Sequence, residues 1–228
     1  MQNDDIEIYA KRLAEVQHRI DDAATKADRD AGEITLIVVT KFHTADVVRK
    51  LHDCGVRNFG ENRHQEAEPK ALETSELDLN WHFVGQLQSK KARAAARYAK
   101  TIHSLDRSSV ITVLSKIEDV IDGFLQINLT DNPGRGGVEP TEIETTVEQI
   151  LNTNTINFRG IMSVAPLGEK PESAFERLAE YSEKVRRLAP NATDISAGMS
   201  HDFEEAIQFG ATHLRIGSLI TGERPKTG

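Results

Sequence analysis

Short apolar runs alternate with helical patterns along the whole of this sequence, and few architectures accommodate that rhythm. Strand signals fall at residues 34–40, 57–61, 81–85, 101–105, 123–129, 157–164, 194–197 and 212–217. Helical spacing separates most of them, at about residues 63–73, 89–99, 107–120, 142–152, 172–188 and 203–209. Thr44 caps a further helix that runs to Asp53 and is left at Gly55. Ahead of the first strand, Ile6, Leu13, Val16, Ile20 and Ala24 recur at three- and four-residue spacings, with Gly32 as the stop. Strands joined through helices pair in parallel. Eight such units in 228 residues predict a closed (β/α)₈ barrel with an extra N-terminal helix, as one domain over residues 1–228. An open doubly wound sheet more often has fewer strands and an early Gly-x-Gly-x-x-Gly loop, which this sequence lacks. The run Asn132-Pro133-Gly134-Arg135-Gly136-Gly137-Val138-Glu139-Pro140 reads as a mobile loop after the fifth strand, not as a linker between domains.

Charge narrows the class of partner. With 28 basic and 36 acidic residues the net charge is −8, which gives no general attraction to nucleic acid or to an anionic membrane. No apolar stretch reaches the roughly 18 residues of a spanning helix, and the start, Met1-Gln2-Asn3-Asp4-Asp5, is acidic where a signal peptide is basic. A cytoplasmic protein with neither nucleic-acid nor membrane partners is expected. Cys54 is the only cysteine, so no intrachain disulfide forms, and its place at a helix end predicts ordinary packing. The histidines are scattered without His-Glu-x-x-His or zinc-type spacing, and no metal site is expected.

A barrel gathers its active residues at the carboxyl ends of its strands. Lys41 closes the first apolar run at such an end. Apolar walls lower a lysine's pKa and free its amine to form an imine with an aldehyde, whereas a snorkelling strand-end lysine is the plain alternative. Asn62, Gln86, Asn128 and Ser163 lie at other strand ends, while Thr44, Ser89 and Asp106 read better as helix caps. His82 and His103 are open to acid–base or structural roles. The basic cluster Lys90-Lys91-Ala92-Arg93 could touch phosphate or RNA, and a solvated helix face explains it at least as well. Gly198-Met199-Ser200-His201-Asp202 leaves strand seven and Arg215-Ile216-Gly217-Ser218 ends strand eight. Glycines permit close approach, hydroxyls and helix-start N–H groups bind anions, and these two strand ends form the usual phosphate site of a barrel. With a lysine on neighbouring strand one, they point to a phosphorylated ligand bearing an aldehyde.

Five blocks stand out in order: Val39-Thr40-Lys41, Gly60-Glu61-Asn62-Arg63-His64-Gln65-Glu66-Ala67, Trp81-His82-Phe83-Val84-Gly85-Gln86-Leu87-Gln88-Ser89-Lys90-Lys91, Ser196-Ala197-Gly198-Met199-Ser200-His201-Asp202-Phe203 and Arg215-Ile216-Gly217. Together they resemble the pyridoxal phosphate homeostasis protein family, related to the barrel domain of alanine racemase. The resemblance implies a fold-type III barrel in which Lys41 holds pyridoxal 5′-phosphate (PLP) as a covalent aldimine. It places Ser200, Gly217 and Ser218 near the phosphate, Met199 among the cofactor-binding residues, Asn62 near the ring and Arg215 against the pyridine nitrogen. Phe42-His43 departs from an expected threonine-lysine pair, and His201 stands where small residues are common. The implied role is a non-catalytic, reversible carrier or buffer in vitamin B6 homeostasis, a monomer rather than a dimer, with PLP-dependent apo-enzymes as recipients. The alternative is a PLP-dependent amino-acid racemase. In the related racemase a separate β domain brings a catalytic tyrosine to the cofactor; here the sequence reaches Gly228 soon after strand eight, and Tyr9, Tyr98 and Tyr181 fall on predicted helices.

Alternation along strand eight puts Arg215 and Gly217 on one face and Leu214 and Ile216 on the other. A ligand-facing guanidinium stays charged, donates to a pyridine nitrogen and discourages its protonation, which weakens the ring as an electron sink. The other reading pairs Arg215 with Glu61 or Asp202 inside the barrel.

Overall fold

A computed structural model describes residues 2–130, 132 and 134–222. Its strands are β1 (Thr35–Val39), β2 (Asn58–Glu61), β3 (Asn80–Phe83), β4 (Ala99–Leu105), β5 (Ile121–Gln126), β6 (Ile156–Met162), β7 (Asp194–Ser196) and β8 (His213–Ile216). They close in sequence order into a parallel barrel, with β8 returning to pair with β1. The helices are α1 (Gln2–Lys26), α2 (Ala45–Asp53), α3 (His64–Glu73), α4 (Ser89–Ala95), α5 (Ser108–Leu114), α6 (Ile143–Leu151), α7 (Pro171–Leu188), α8 (Phe203–Gln208) and α9 (Ser218–Thr221). No helix among the described residues is long and apolar enough to cross a membrane.

Strand alternation sorts the buried side chains into two layers. Val38, Phe59, Trp81, Phe83, Ile102, Leu125, Ile161 and Leu214 pack outward against Val16, Val48, Leu51, Ile111, Val147 and Leu178 of the helices in one apolar cluster. Each such burial contributes roughly 1.5–3 kcal/mol. The interior differs: beside Ile37, Val39 and Phe124 it buries His82, His103, Ser196 and Arg215. A barrel interior filled only with branched apolar residues would need no hydrogen bonds. This one must satisfy each polar group it encloses.

The first helix braces the quarter of the barrel that ends in β8. Arg19 of α1 makes a two-pronged pair with Glu204 of α8 at 3.0 and 2.9 Å and lies 4.6 Å over the Phe203 ring. Arg29 donates to the Ile207 and Ala211 carbonyls at 2.8 Å, and Arg12 to the Ile220 carbonyl of α9 at 3.3 Å. Cys54 packs as expected, its thiol donating to the Ile6 carbonyl at 3.6 Å.

Several boundaries differ from the sequence reading. The helix expected over 89–99 stops at Ala95, and the one expected over 107–120 at Leu114, because each chain reversal into the next strand uses residues whose propensity is still helical. Tyr98 therefore lies in a turn, not on a helix. The first helix ends at Lys26, before Gly32, with Asp28 at φ +54°. Thr44 occupies its cap position without a side-chain bond, and so does Gln88, which stands at the cap position of α4 where Ser89 was expected. Asp106 caps nothing; its carboxylate accepts from Arg107 Nε at 3.2 Å and Gly137 N–H at 3.2 Å. Of the loop at 132–140, Pro133 lies outside the described residues. The rest is tied to β5, with Val138 N–H on the Gln126 carbonyl at 2.8 Å and the Asn128 amide on Glu139 at 3.0 Å.

Candidate functional site

Thr40 leaves the sheet after β1 with its N–H still bonded to the Gly60 carbonyl at 3.0 Å, and the chain then reverses, His43 N–H returning to the Thr40 carbonyl at 3.0 Å. Lys41 and Phe42 are the middle residues of that turn. Phe42 takes φ +69°, a left-handed conformation costly for a side-chain-bearing residue. Its N–H bonds Glu66 at 3.1 Å, and the Arg63 guanidinium lies 5.6 Å from its ring. Beneath the turn, Lys70 donates to the Thr40 carbonyl at 2.9 Å and pairs with Glu61, which also accepts from the Thr40 hydroxyl at 2.8 Å. Burial raises the Glu61 carboxyl above its ordinary pKa against the opposing pull of Lys70. Burial, then the Lys70 charge, lowers His43.

Gly198 opens the β7–α8 turn at φ +88°, where an added Cβ would stand 2.8 Å from Phe203 Cα and Ala206 Cβ; a side chain does not fit. Asp202 accepts from Met199 N–H at 2.6 Å, which folds the turn back and presents Ser200 toward Ser218 at the start of α9. The two hydroxyls are 3.3 Å apart. From β8, Arg215 points into the barrel, donating through Nη1 to Ser196 Oγ at 2.6 Å and through Nη2 to the Ser163 carbonyl at 2.8 Å. The pairing with Glu61 or Asp202 does not occur: Glu61 is held by Lys70 and Thr40, and Asp202 by the Met199 amide. Burial pulls Arg215 down to about 10, with Asp202 opposing from a distance, so the guanidinium is charged near neutrality.

All of Lys41, Asn62, Met199, Ser200, Arg215, Gly217 and Ser218 line one cavity of ≈ 280 Å³ at the carboxyl ends of the strands. Ligand pockets typically span roughly 300–1,000 Å³, so this one suits a compact ligand. Phe42, His43 and His201 line it too. A larger hollow of ≈ 620 Å³ lies against α1 and the amino ends of β1 and β2, and among the described residues Arg57 is its only charged one. The smaller cavity has the convergent polar groups.

Sequence reasoning did not single out Val39, Val84 and Val164 as walls, although each sits at a strand end. Thr221 was beyond reach, because α9 has only four residues and no periodicity to read. Nor were the histidines assigned. His82 and His103 are buried in the barrel, their rings joined at 3.0 Å and His103 stacked on Phe124 at 4.5 Å. Tyr9, Tyr98 and Tyr181 do not line the cavity.

Residues 12–225 match the alanine racemase N-terminal domain, and the chain belongs to that family of barrels. The alanine racemase of Corynebacterium glutamicum shares the fold, at a TM-score of 0.72 and 13% identity over 96% of this chain and 61% of that one. More narrowly, the chain belongs to the pyridoxal phosphate homeostasis protein family. It is 36% identical over 221 residues to the member from C. glutamicum, covering 92% of this chain and 99% of the relative. With the Escherichia coli member it shares 33% identity over 94% of this chain and 96% of the relative. PipY of Synechococcus elongatus PCC7942, solved with PLP bound, has a TM-score of 0.81 and 30% identity over 94% of this chain and 100% of that one.

Proposed function

We propose that this chain, as a single barrel domain in the cytoplasm, holds PLP with Lys41 as its covalent anchor and serves as a reversible carrier or buffer, not as an enzyme. One observation carries the reading: a lysine turn, a buried arginine and a pair of serine hydroxyls converge on one small cavity. The cavity fits the group. Among the described residues its guanidinium donates to a hydroxyl and a carbonyl and to no carboxylate, so its charge can face an acceptor, and the paired hydroxyls sit where an anion could accept hydrogen bonds from them. Membership of the homeostasis family and the PLP-bound relative support the same ligand.

When bound, PLP would supply an aldehyde able to condense reversibly with a lysine amine, releasing water. The turn at Thr40–His43 fixes the backbone of Lys41, and the Lys70–Glu61 pair fixes the turn. Ser200 and Ser218 would hold the phosphate, with Gly217 and Met199 beside them, and Asn62 would face the ring. Arg215 would donate to the ring nitrogen and disfavour its protonation, which would deny carbanion chemistry its electron sink. In this reading the carrier acts as a monomer, with PLP-dependent apo-enzymes as recipients.

The test is a competition titration with PLP and unphosphorylated pyridoxal, paired with α-proton exchange of alanine, serine and glutamate in deuterated water. Several charge-assisted hydrogen bonds at roughly 1.5–3 kcal/mol each predict at least a hundredfold preference for PLP, with no sustained exchange. Equal affinity for both aldehydes would remove the phosphate site. Steady enantiomer interconversion would instead promote the racemase reading.

A further inference from the structure

A file of hydrogen bonds crosses the barrel from Arg215 to its far end. Arg215 Nη1 donates to Ser196 Oγ at 2.6 Å, and Ser196 Oγ lies 2.8 Å from His103 Nδ1. His103 Nε2 lies 3.0 Å from His82 Nδ1, and His82 Nε2 lies 3.2 Å from Asn58 Oδ1. His103 and Ser196 are fully buried and His82 nearly so.

The donor order assigns the tautomers. The serine oxygen already accepts from a guanidinium, so its own proton goes to His103 Nδ1. A neutral imidazole has one donor and one acceptor, so His103 then donates through Nε2 to His82 Nδ1. His82 donates in turn through Nε2 to the Asn58 oxygen. The reverse order would leave the serine proton without an acceptor in the file and set a bare His82 Nε2 against that oxygen. Burial supports two neutral rings, driving His82 down to about 3 and His103 well below the ordinary imidazole value.

Every bond thus points away from Arg215, and bonds aligned in one direction polarise one another. Their negative ends face the guanidinium. A carboxylate would neutralise Arg215 and compete with a ligand for its N–H groups, whereas neutral dipoles solvate and aim the cation while leaving its charge intact.

We infer that Ser196, His103 and His82 form a one-way hydrogen-bond relay that positions Arg215 and so sets how strongly the site recognises the ring nitrogen of its ligand. The inference rests on the PLP reading above and deepens it. These three are positioning residues, acting through Arg215.

The experiment compares the dissociation constants of PLP and its 1-deaza analogue, in which CH replaces the ring nitrogen while aldehyde and phosphate are unchanged. Wild-type protein should prefer PLP. Ser196→Ala, which takes the acceptor from Nη1, should shrink that preference about tenfold while the analogue binds as before. His103→Phe, whose ring suits the Phe124 stack, should do the same. His103→Gln keeps an acceptor for Ser196 and a donor for His82 and should restore the preference. Equal weakening of both aldehydes in Ser196→Ala, or an unchanged preference in His103→Phe, would overturn the relay while leaving the carrier reading standing. Failure of wild-type protein to bind either aldehyde would bring down both.

Discussion

At the scale of single residues, position along a strand determined what the sequence could reveal. Lys41, Asn62, Ser200, Arg215 and Gly217 were legible because a parallel barrel delivers its strand ends to one place, and all of them line the same cavity. The Lys70–Glu61 pair and the buried histidines were not, since each depends on distances across elements that periodicity leaves open. The pair makes its own prediction. Lys70→Met leaves Glu61 buried at 1% exposure without its cation, and breaking such a pair costs about 3–5 kcal/mol. Urea unfolding should show that loss, and adding Glu61→Gln should recover most of it. Full stability in the single variant would mean that the Glu61 carboxyl is already neutral.

At the scale of elements, the barrel order was readable from alternation, whereas helix ends and the short α9 were not. Local propensity carries no term for the turn that the next strand demands. Contacts between loops were equally hidden. After β3, Gly85 meets the chain following β2 so closely that an added Cβ would stand 2.0 Å from the Asn62 carbonyl oxygen. Gly85→Ala must displace Asn62, costing about 1–3 kcal/mol and weakening PLP binding. Gly55 is the control: its φ is +96° but nothing lies within 4 Å of an added Cβ. Gly55→Ala should cost only about 1–2 kcal/mol of backbone strain and leave affinity unchanged. Parallel unfolding and binding titrations of the two variants check both expectations.

At the scale of the whole molecule, the polar interior makes stability depend on pH. Burial lowers His82, His103 and His213, so each resists protonation in the folded barrel while the unfolded chain takes up protons near pH 6.5. The unfolded state then binds more protons, and stability must rise with pH. This contribution is complete above about pH 6.5 and is lost as pH falls toward the folded values, at up to about 1.4 kcal/mol per pH unit for each histidine. The charged groups facing His213, namely Asp194, Arg159, Asp122 and Arg215, modulate its share. The raised carboxyl of Glu61 runs the opposite way, so the variants carry the test. Thermal melts of His103→Gln between pH 5 and 7 should show a shallower slope than wild type, and an equal slope would contradict neutral burial.

The claim on which the rest depends is that Lys41 anchors the ligand in this barrel. Borohydride reduction of PLP-loaded protein, followed by peptide mass mapping, tests it most directly. The expected result is one stoichiometric adduct on the peptide carrying Lys41, absent from Lys41→Ala. An adduct on another lysine such as Lys70 or Lys90, with Lys41 unmodified, would contradict the account.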